Sequence, residues 1–402
     1  MNPLRARIYF IITKIFLSIV LFGQNIASVQ LFNPNSTDFS SFIFEKGTPF
    51  TLAFDNLDKQ PTNFFYTITH HNANWEKSSL FPSEYLKGNQ TVYFNEFKNS
   101  FSTNNFYRHY EFSIPNKNTQ LLVTGNYIIN VYSTKDTQKP IIQRKFCLYQ
   151  NLNPINLEFF RQVNEENKNQ RIQISFKNKK EFINNLNYLK LYIIQNNNFN
   201  SIKEYKNPFF MGEQVVFNGN NTVFEGGNEY YFFDTKILNI NGFSTYKIEQ
   251  IDNQTHTFLI PNAINDNKNY IFFNDLNGGF YFRTLNLLTE FDSKVSSDYT
   301  YIHFTLDSEK ELPYPIHVLG GFNNWEKADQ NKMIYNNLKK KYEVILFLKQ
   351  GYYNYQYVVV YPKEQPNFEM LEGSSYETEN DYTIIMYHRP FGARYDRVIG
   401  IS

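Results

Sequence analysis

The chain is predicted to be all-β, a tandem of immunoglobulin-like β-sandwich domains, on three observations. Aromatic side chains make up 18% of its 402 residues, with 41 Phe and 31 Tyr against 2 Trp. Such rings fill pleated, half-buried surfaces in preference to helices. Short runs alternate apolar and polar residues with period two: Ile172, Ile174 and Phe176 share a face, as do Leu189, Leu191 and Ile193, and Ile302, Phe304 and Leu306. Turn signals separate these runs at short intervals, among them Asn277-Gly278-Gly279 between Phe272-Phe273 and Phe280, and Lys349-Gln350-Gly351. Many short strands with frequent turns imply sandwiches. Helical periodicity is confined to residues 82–86 and 179–187.

Residues 1–27 have the layout of a secretory signal peptide. Arg5 and Arg7 precede an apolar run over 8–22, interrupted by Thr13 and Lys14, and the small pair Ala27 and Ser28 follows. The strongest apolar block, 15–22, is short of the roughly 20 residues a membrane-spanning helix needs. The chain is therefore expected to be exported and soluble, with no membrane insertion. Its single cysteine, Cys147, cannot form an intrachain disulfide and lies too far from the leader to be a lipoprotein anchor. Export without disulfides fits a bacterial periplasm. At roughly 100–150 residues per domain, breaks in the pattern divide the remainder into domains at 28–151, 152–292 and 293–402.

Charge and motifs exclude several functions. A net charge of +1 lacks the electrostatic footprint of nucleic-acid binding. The sequence has no Gly-rich phosphate loop, HExxH, paired cysteines or Gly-x-Ser-x-Gly elbow, so no enzyme, metal or cofactor is expected. His70 and His71 are neighbours on a strand and point to opposite faces. His303 alternates with Ile302 and Phe304 and reads as an outward, solvated residue. Glu372, Glu377, Glu379 and Asp381 read as partners for nearby arginines more economically than as a glycosidase pair.

Two segments carry candidate interaction residues. The end of the chain, 372–401, packs Tyr387, Arg389, Arg394, Tyr395 and Arg397 around an apolar strand at 382–387. Arginine lies flat on tyrosine while forking onto a carboxylate, so the segment reads as a latch closing the last domain, or as a recognition surface. In the third domain, Gly320-Gly321-Phe322-Asn323-Asn324-Trp325 and the hairpin 348–360, with Tyr353, Tyr355 and Tyr357 on one face, resemble the immunoglobulin-like domain of glycogen-binding modules. That resemblance implies a ring at Trp325 that stacks on sugar. The loop 361–366 supplies no second tryptophan, and one ring rarely holds an oligosaccharide against its ordering cost. Trp325 is therefore read as a core or domain-packing residue, with an exported carbohydrate-binding protein as the alternative.

Three longer stretches are similar to one bacterial family, the plug protein of the type IX secretion system of Bacteroidetes: residues 31–58 continuing into 64–88, the GGNEYYFFDTK run at 226–236, and the hairpin with the tail. The resemblance implies a soluble periplasmic protein of several β domains, without enzymatic activity. Such a protein binds the periplasmic mouth of the outer-membrane translocon barrel and keeps it closed when no cargo is present. Around His71, Asn72 and Asn74 the chain departs from the family pattern, which there carries more acidic residues and a cysteine.

Overall fold

Alternating burial along Phe64–His71 turns Phe64, Tyr66, Ile68 and His70 inward and fixes the register of the first sandwich. The computed structural model describes residues 25–35, 40–150, 154–161, 167–177, 183, 185–205, 207–217, 223–264, 270–285, 290–362, 367 and 369–402. In it, that strand belongs to a sheet ordered Ile43–Glu45, Ile142–Tyr149, Gly125–Ser133, Phe64–His71, Thr91–Phe94. Facing it is the sheet Ile26–Phe32, Phe50–Asn56, Arg108–Ile114, Lys98–Asn99. Rings pack within and between the two: Phe54 stacks on its cross-strand partner Tyr110 with centroids 5.3 Å apart, and Phe64 of the other sheet meets Tyr110 edge-on at 4.9 Å. The short helix Pro82–Tyr85 forms where expected, with proline in its first turn and the Phe81 amide donating to Glu84 at 2.7 Å.

The second sandwich has one sheet of Ile155–Arg161, Asn169–Lys177, Gln214–Phe217 and Phe209–Met211, with Val223–Glu225 also on Asn169–Lys177. Its other sheet is Lys203–Tyr205, Leu189–Gln195, Tyr382–His388, Arg397–Ile401. The third has Tyr231–Asp234, Gly351–Val359, Phe280–Phe282 and Ile316–Leu319 on one side. On the other lie Thr245–Ile251, Gln254–Leu259, Tyr299–Asp307, Lys341–Lys349 and Ile334–Asn336. Its core repeats the ring logic: Phe233 and Phe280 stack on either side of Tyr353 at 5.0 and 5.7 Å.

These pairings depart from the contiguous domains expected at 152–292 and 293–402. Strands from 231 onward join the third sandwich, because their inward residues Phe233, Leu259 and Phe280 belong to its core. The last two strands leave the third sandwich and complete the second, where Ile384, Met386 and Ile399 are buried against Ile172, Leu191 and Val215. Ile26 and Ala27, assigned to the expected leader, pair with Asn56 and Asp55, while residues 1–24 lie outside the described part. Asn277 and Gly278 form a turn, but Phe272 and Phe273 are not a strand, so no hairpin forms there. Of the expected helix at 179–187, residues 179–182 and 184 lie outside the described residues, and Leu186–Tyr188 is a single 3-10 turn.

Burying Ile384, Met386 and Ile399 contributes together about 5–9 kcal/mol, which rivals the whole stability of a typical domain, about 5–15 kcal/mol. Deleting residues 382–402 is therefore expected to unfold the second sandwich. In amide hydrogen exchange, Leu189–Gln195 should lose its protection while Gly125–Ser133 keeps it; retained protection at Leu189–Gln195 would show that the tail strand is dispensable.

Candidate interaction residues and the buried junctions

The candidate residues of the tail are divided between a buried contact and an exposed one. Tyr387 sits mid-strand, opposite Lys190 on one side and Val398 on the other. Its hydroxyl meets Asn126 Oδ1 of the first sandwich at 2.6 Å. Beside it, Tyr192, Ile385 and Val398 pack with Phe42, Ala73 and Cys147 in an apolar cluster shared by two domains. Burial pushes the Cys147 thiol up to about 12, so this cysteine is chemically quiet. Asp396, fully buried, accepts the Ala73 amide at 3.0 Å and pairs with Arg389 at 3.0 Å and Lys190 at 3.4 Å. Arg389 also donates to Asn72 Oδ1. Tyr395 meets His70 edge-on at 5.3 Å, and Arg397 opens the last strand opposite His388.

Arg394 is different. It is exposed, donates to Glu84 at 2.5 Å and to the Ser79 carbonyl at 2.9 Å, and lies over the Phe81 ring at 5.5 Å. Phe81 is 68% exposed and Phe391, on the same turn as Arg394, is 92% exposed. The latch thus docks the second sandwich on the first and does not close the third domain. The carboxylate expected at Glu372 turns the other way, accepting the Tyr357 amide at 2.8 Å inside the third sandwich.

A second junction, between the first and third sandwiches, has no counterpart in the sequence reading. Asp55 (0% exposed) receives three groups at 2.7 Å each: Lys349 Nζ, the Tyr299 hydroxyl and His109 Nδ1. Lys349 is itself 1% exposed, donates to the Lys294 carbonyl at 2.6 Å and lies over the Tyr107 ring at 4.2 Å. Nearby, Asp298 accepts the amides of Asn104 at 2.7 Å and Asn105 at 3.0 Å. Burial pushes the Asp55 carboxyl up, yet the charge of Lys349 and the hydrogen bond and charge of His109 outweigh it and hold it below its ordinary value. Burial pushes His109 down, but its bonds to Asp55 and Glu111 more than offset this and hold it above its ordinary value.

Trp325 joins the second sandwich to the third. Its backbone is left-handed at φ 58°, its carbonyl accepts Asn200 Nδ2 at 2.8 Å, and its ring packs on Tyr230 with centroids 5.7 Å apart. A Cβ on Gly278 would stand 2.4 Å from that ring. At 5% exposure the ring is a domain-packing residue and offers no open platform for sugar. His303 is not solvated as expected. Its ring stacks on Phe258 at 4.0 Å and its Nε2 meets His256 Nδ1 at 2.8 Å, both side chains of the parallel strand Gln254–Leu259 paired beside it in the same sheet. Among the described residues, no three His, Cys, Asp or Glu side chains are placed to hold a metal, and no helix is long and apolar enough to cross a membrane.

Comparison with known proteins assigns the first sandwich. Residues 26–150 match the family model of the type 9 secretion system plug protein 1st domain. A solved structure of a hypothetical protein from Parabacteroides merdae aligns over 94% of this chain and 97% of its own at 28% identity, with a TM-score of 0.89. The Pseudomonas fluorescens alkylpurine DNA glycosylase AlkC aligns over 31% of this chain and 30% of its own at 13% identity, with a TM-score of 0.19, and carries no argument. No curated protein matches the chain.

Substituting Asp55→Leu leaves a buried ammonium without its carboxylate and is expected to cost about 3–5 kcal/mol, most of which Lys349→Met should restore in the double variant, both read by urea unfolding. The pH profile follows from the two shifts. A lowered carboxyl contributes stability above the ordinary carboxylate range that is lost as pH falls through the folded value; a raised histidine contributes below its ordinary range and is lost as pH rises through its folded value. The urea midpoint should therefore fall on both sides of a maximum between the two, and His109→Gln should flatten the alkaline limb. In the tail, Arg394→Ala should change stability by under about 1 kcal/mol, whereas Asp396→Ala, which strips two cations and an amide of their partner, should cost about 3–5 kcal/mol in the same assay.

Proposed function

We propose that this chain, whose residues 26–150 match the type 9 secretion system plug protein 1st domain, is a non-enzymatic periplasmic plug. Exported by its leader, it binds the periplasmic opening of the outer-membrane translocon barrel and keeps that opening closed in the absence of cargo. The family match over residues 26–150 carries this reading. A stopper has to hold its shape and present area, and both requirements have support here. Buried hydrogen-bonded contacts join the first sandwich to each of the other two, so the three act as one body. Stable interfaces bury about 1,200–2,000 Å² around a few aromatic or arginine anchors. The exposed group of Phe81, Phe391 and Arg394, at the first–second junction, is of that kind. It is the recognition surface we assign to the tail.

A tagged chain should bring down the barrel in gentle detergent, and Phe81→Ala combined with Arg394→Ala should reduce that capture about tenfold or more without lowering the urea midpoint. Deleting the gene should make the envelope leakier to small solutes; an unchanged permeability would sink the plugging role.

A further inference from the structure

Gln356 is out of place on the central strand Gly351–Val359. Its neighbours Tyr355 and Tyr357 turn into the core of the third sandwich, whereas Gln356 and Val358 turn to the opposite face, toward the second. The residue is 3% exposed, and its side chain has no hydrogen-bond partner among the described residues. A side-chain amide carries two donors and an oxygen with two lone pairs, and buried polar groups are ordinarily satisfied. This one lines a cavity of about 370 Å³ between the second and third sandwiches, within the range of about 300–1,000 Å³ that small-molecule sites occupy.

The rest of the cavity is built with similar care. Trp325, on its wall, holds left-handed backbone at φ 58°, a conformation costly for a bulky residue that persists where neighbours enforce it. The Trp325 carbonyl is held by Asn200 at 2.8 Å, and the Asn196 amide by Asn380 Oδ1 at 2.6 Å. Phe224 and Tyr230 supply apolar wall. The charged lining is one Lys203 and one Glu225, which cancel, and the Lys203 ammonium is already taken by the Val223 carbonyl at 2.5 Å. An ionic ligand therefore finds no net complementary charge. A ligand that both donates and accepts hydrogen bonds from adjacent positions, and carries C–H surface besides, fits both the free amide and the apolar wall.

We propose that this cavity binds a small uncharged polyhydroxylated ligand of mono- or disaccharide size, with the Gln356 amide hydrogen-bonding its hydroxyls. This site goes beyond plugging and differs from a surface ring platform, because the Trp325 ring is packed away. A peptide main chain is disfavoured, since capture of that kind uses a free strand edge. At Gln356 the strand is already paired to Leu319 on one side, and Tyr355 beside it is paired to Tyr231 on the other.

The purified full chain is titrated with glucose, galactose, N-acetylglucosamine and maltose to about 10 mM, followed by saturation-transfer NMR and tryptophan emission, with triglycine as the peptide control. At least one saccharide should bind, shift the emission of Trp325, and bind about tenfold or more weakly to Gln356→Leu. That variant keeps the volume and breaks no hydrogen bond, so its urea midpoint should equal the parent's. Should the midpoint fall, Glu225→Gln on the cavity wall is read against the same threshold. Absence of binding by all four sugars, undiminished binding to the variant, or binding of triglycine alone would overturn the proposal. Barrel capture is measured separately, so failure of one reading leaves the other standing.

Discussion

A protonated amine removed from water must be given an anion, and for Lys349 that anion, Asp55, stands in another domain. Leaving either charge alone would cost several kcal/mol, a large share of what holds a domain folded. Tyr299 and His109 complete the carboxylate's shell from opposite sides of the same boundary. The first and third sandwiches are consequently held in one register. Apolar faces tolerate sliding; a set of short directional bonds to one buried carboxylate does not. Relative motion is the usual expectation for domains that meet over modest polar surfaces, and this contact removes it.

The chain path adds a second constraint. The second sandwich is open until the chain has traversed the third and come back, because Tyr382–His388 is an inner strand of its sheet. The outgoing and returning segments are bonded where they pass: the Gly227 amide donates to Ser374 Oγ at 3.0 Å, and Thr378 Oγ1 donates to the Gly227 carbonyl at 2.8 Å. A Cβ on Gly226 would stand 1.8 Å from the Ser375 carbonyl oxygen, so only glycine lets the two backbones come that close. Two bonded crossings cannot hinge as one linker can. The returning segment also delivers Asp396 to the first sandwich, so closing the second domain and docking it are one event.

The strand faces were legible because period two depends only on local burial. The inward sets Ile172, Ile174, Phe176 and Ile302, Phe304, Leu306 are buried as read. The assignment of strands to sheets was not legible, since Tyr231–Asp234 and Tyr382–His388 are ordinary apolar strands whose partners lie far away in sequence. The junction residues were hidden for a related reason. Asp55 ends an apolar run, FTLAFD, and Lys349 another, VILFLK; one charge at the end of a strand reads as solvated. Phe50–Asn56 is buried on both faces, and two-sided burial is a property of neighbours, not of the strand. His303 was misread in the same way, since the rings beside it, Phe258 and His256, stand on a neighbouring strand more than 40 residues away in sequence. The tail's cations were recognised as needing carboxylates, but Glu84, more than 300 residues upstream of Arg394, was beyond any local pattern.

The polar character of these junctions bears on what they are for. Replacing a buried ion pair by well-packed apolar side chains is often neutral or stabilising, so strength alone does not account for Asp55–Lys349 or for Asp396 with its two cations. What such groups add is intolerance of error: a domain docked one residue out of register would leave a carboxylate or an ammonium buried and alone. The proposed plug needs that intolerance more than it needs extra stability, because a contact surface spanning the first and second sandwiches is reproduced only if the two always meet in the same way. The exposed Arg394–Glu84 pair, screened and individually weak, does not serve that end. Strong contacts inside and weak ones at the rim leave the body fixed and the surface free to bind.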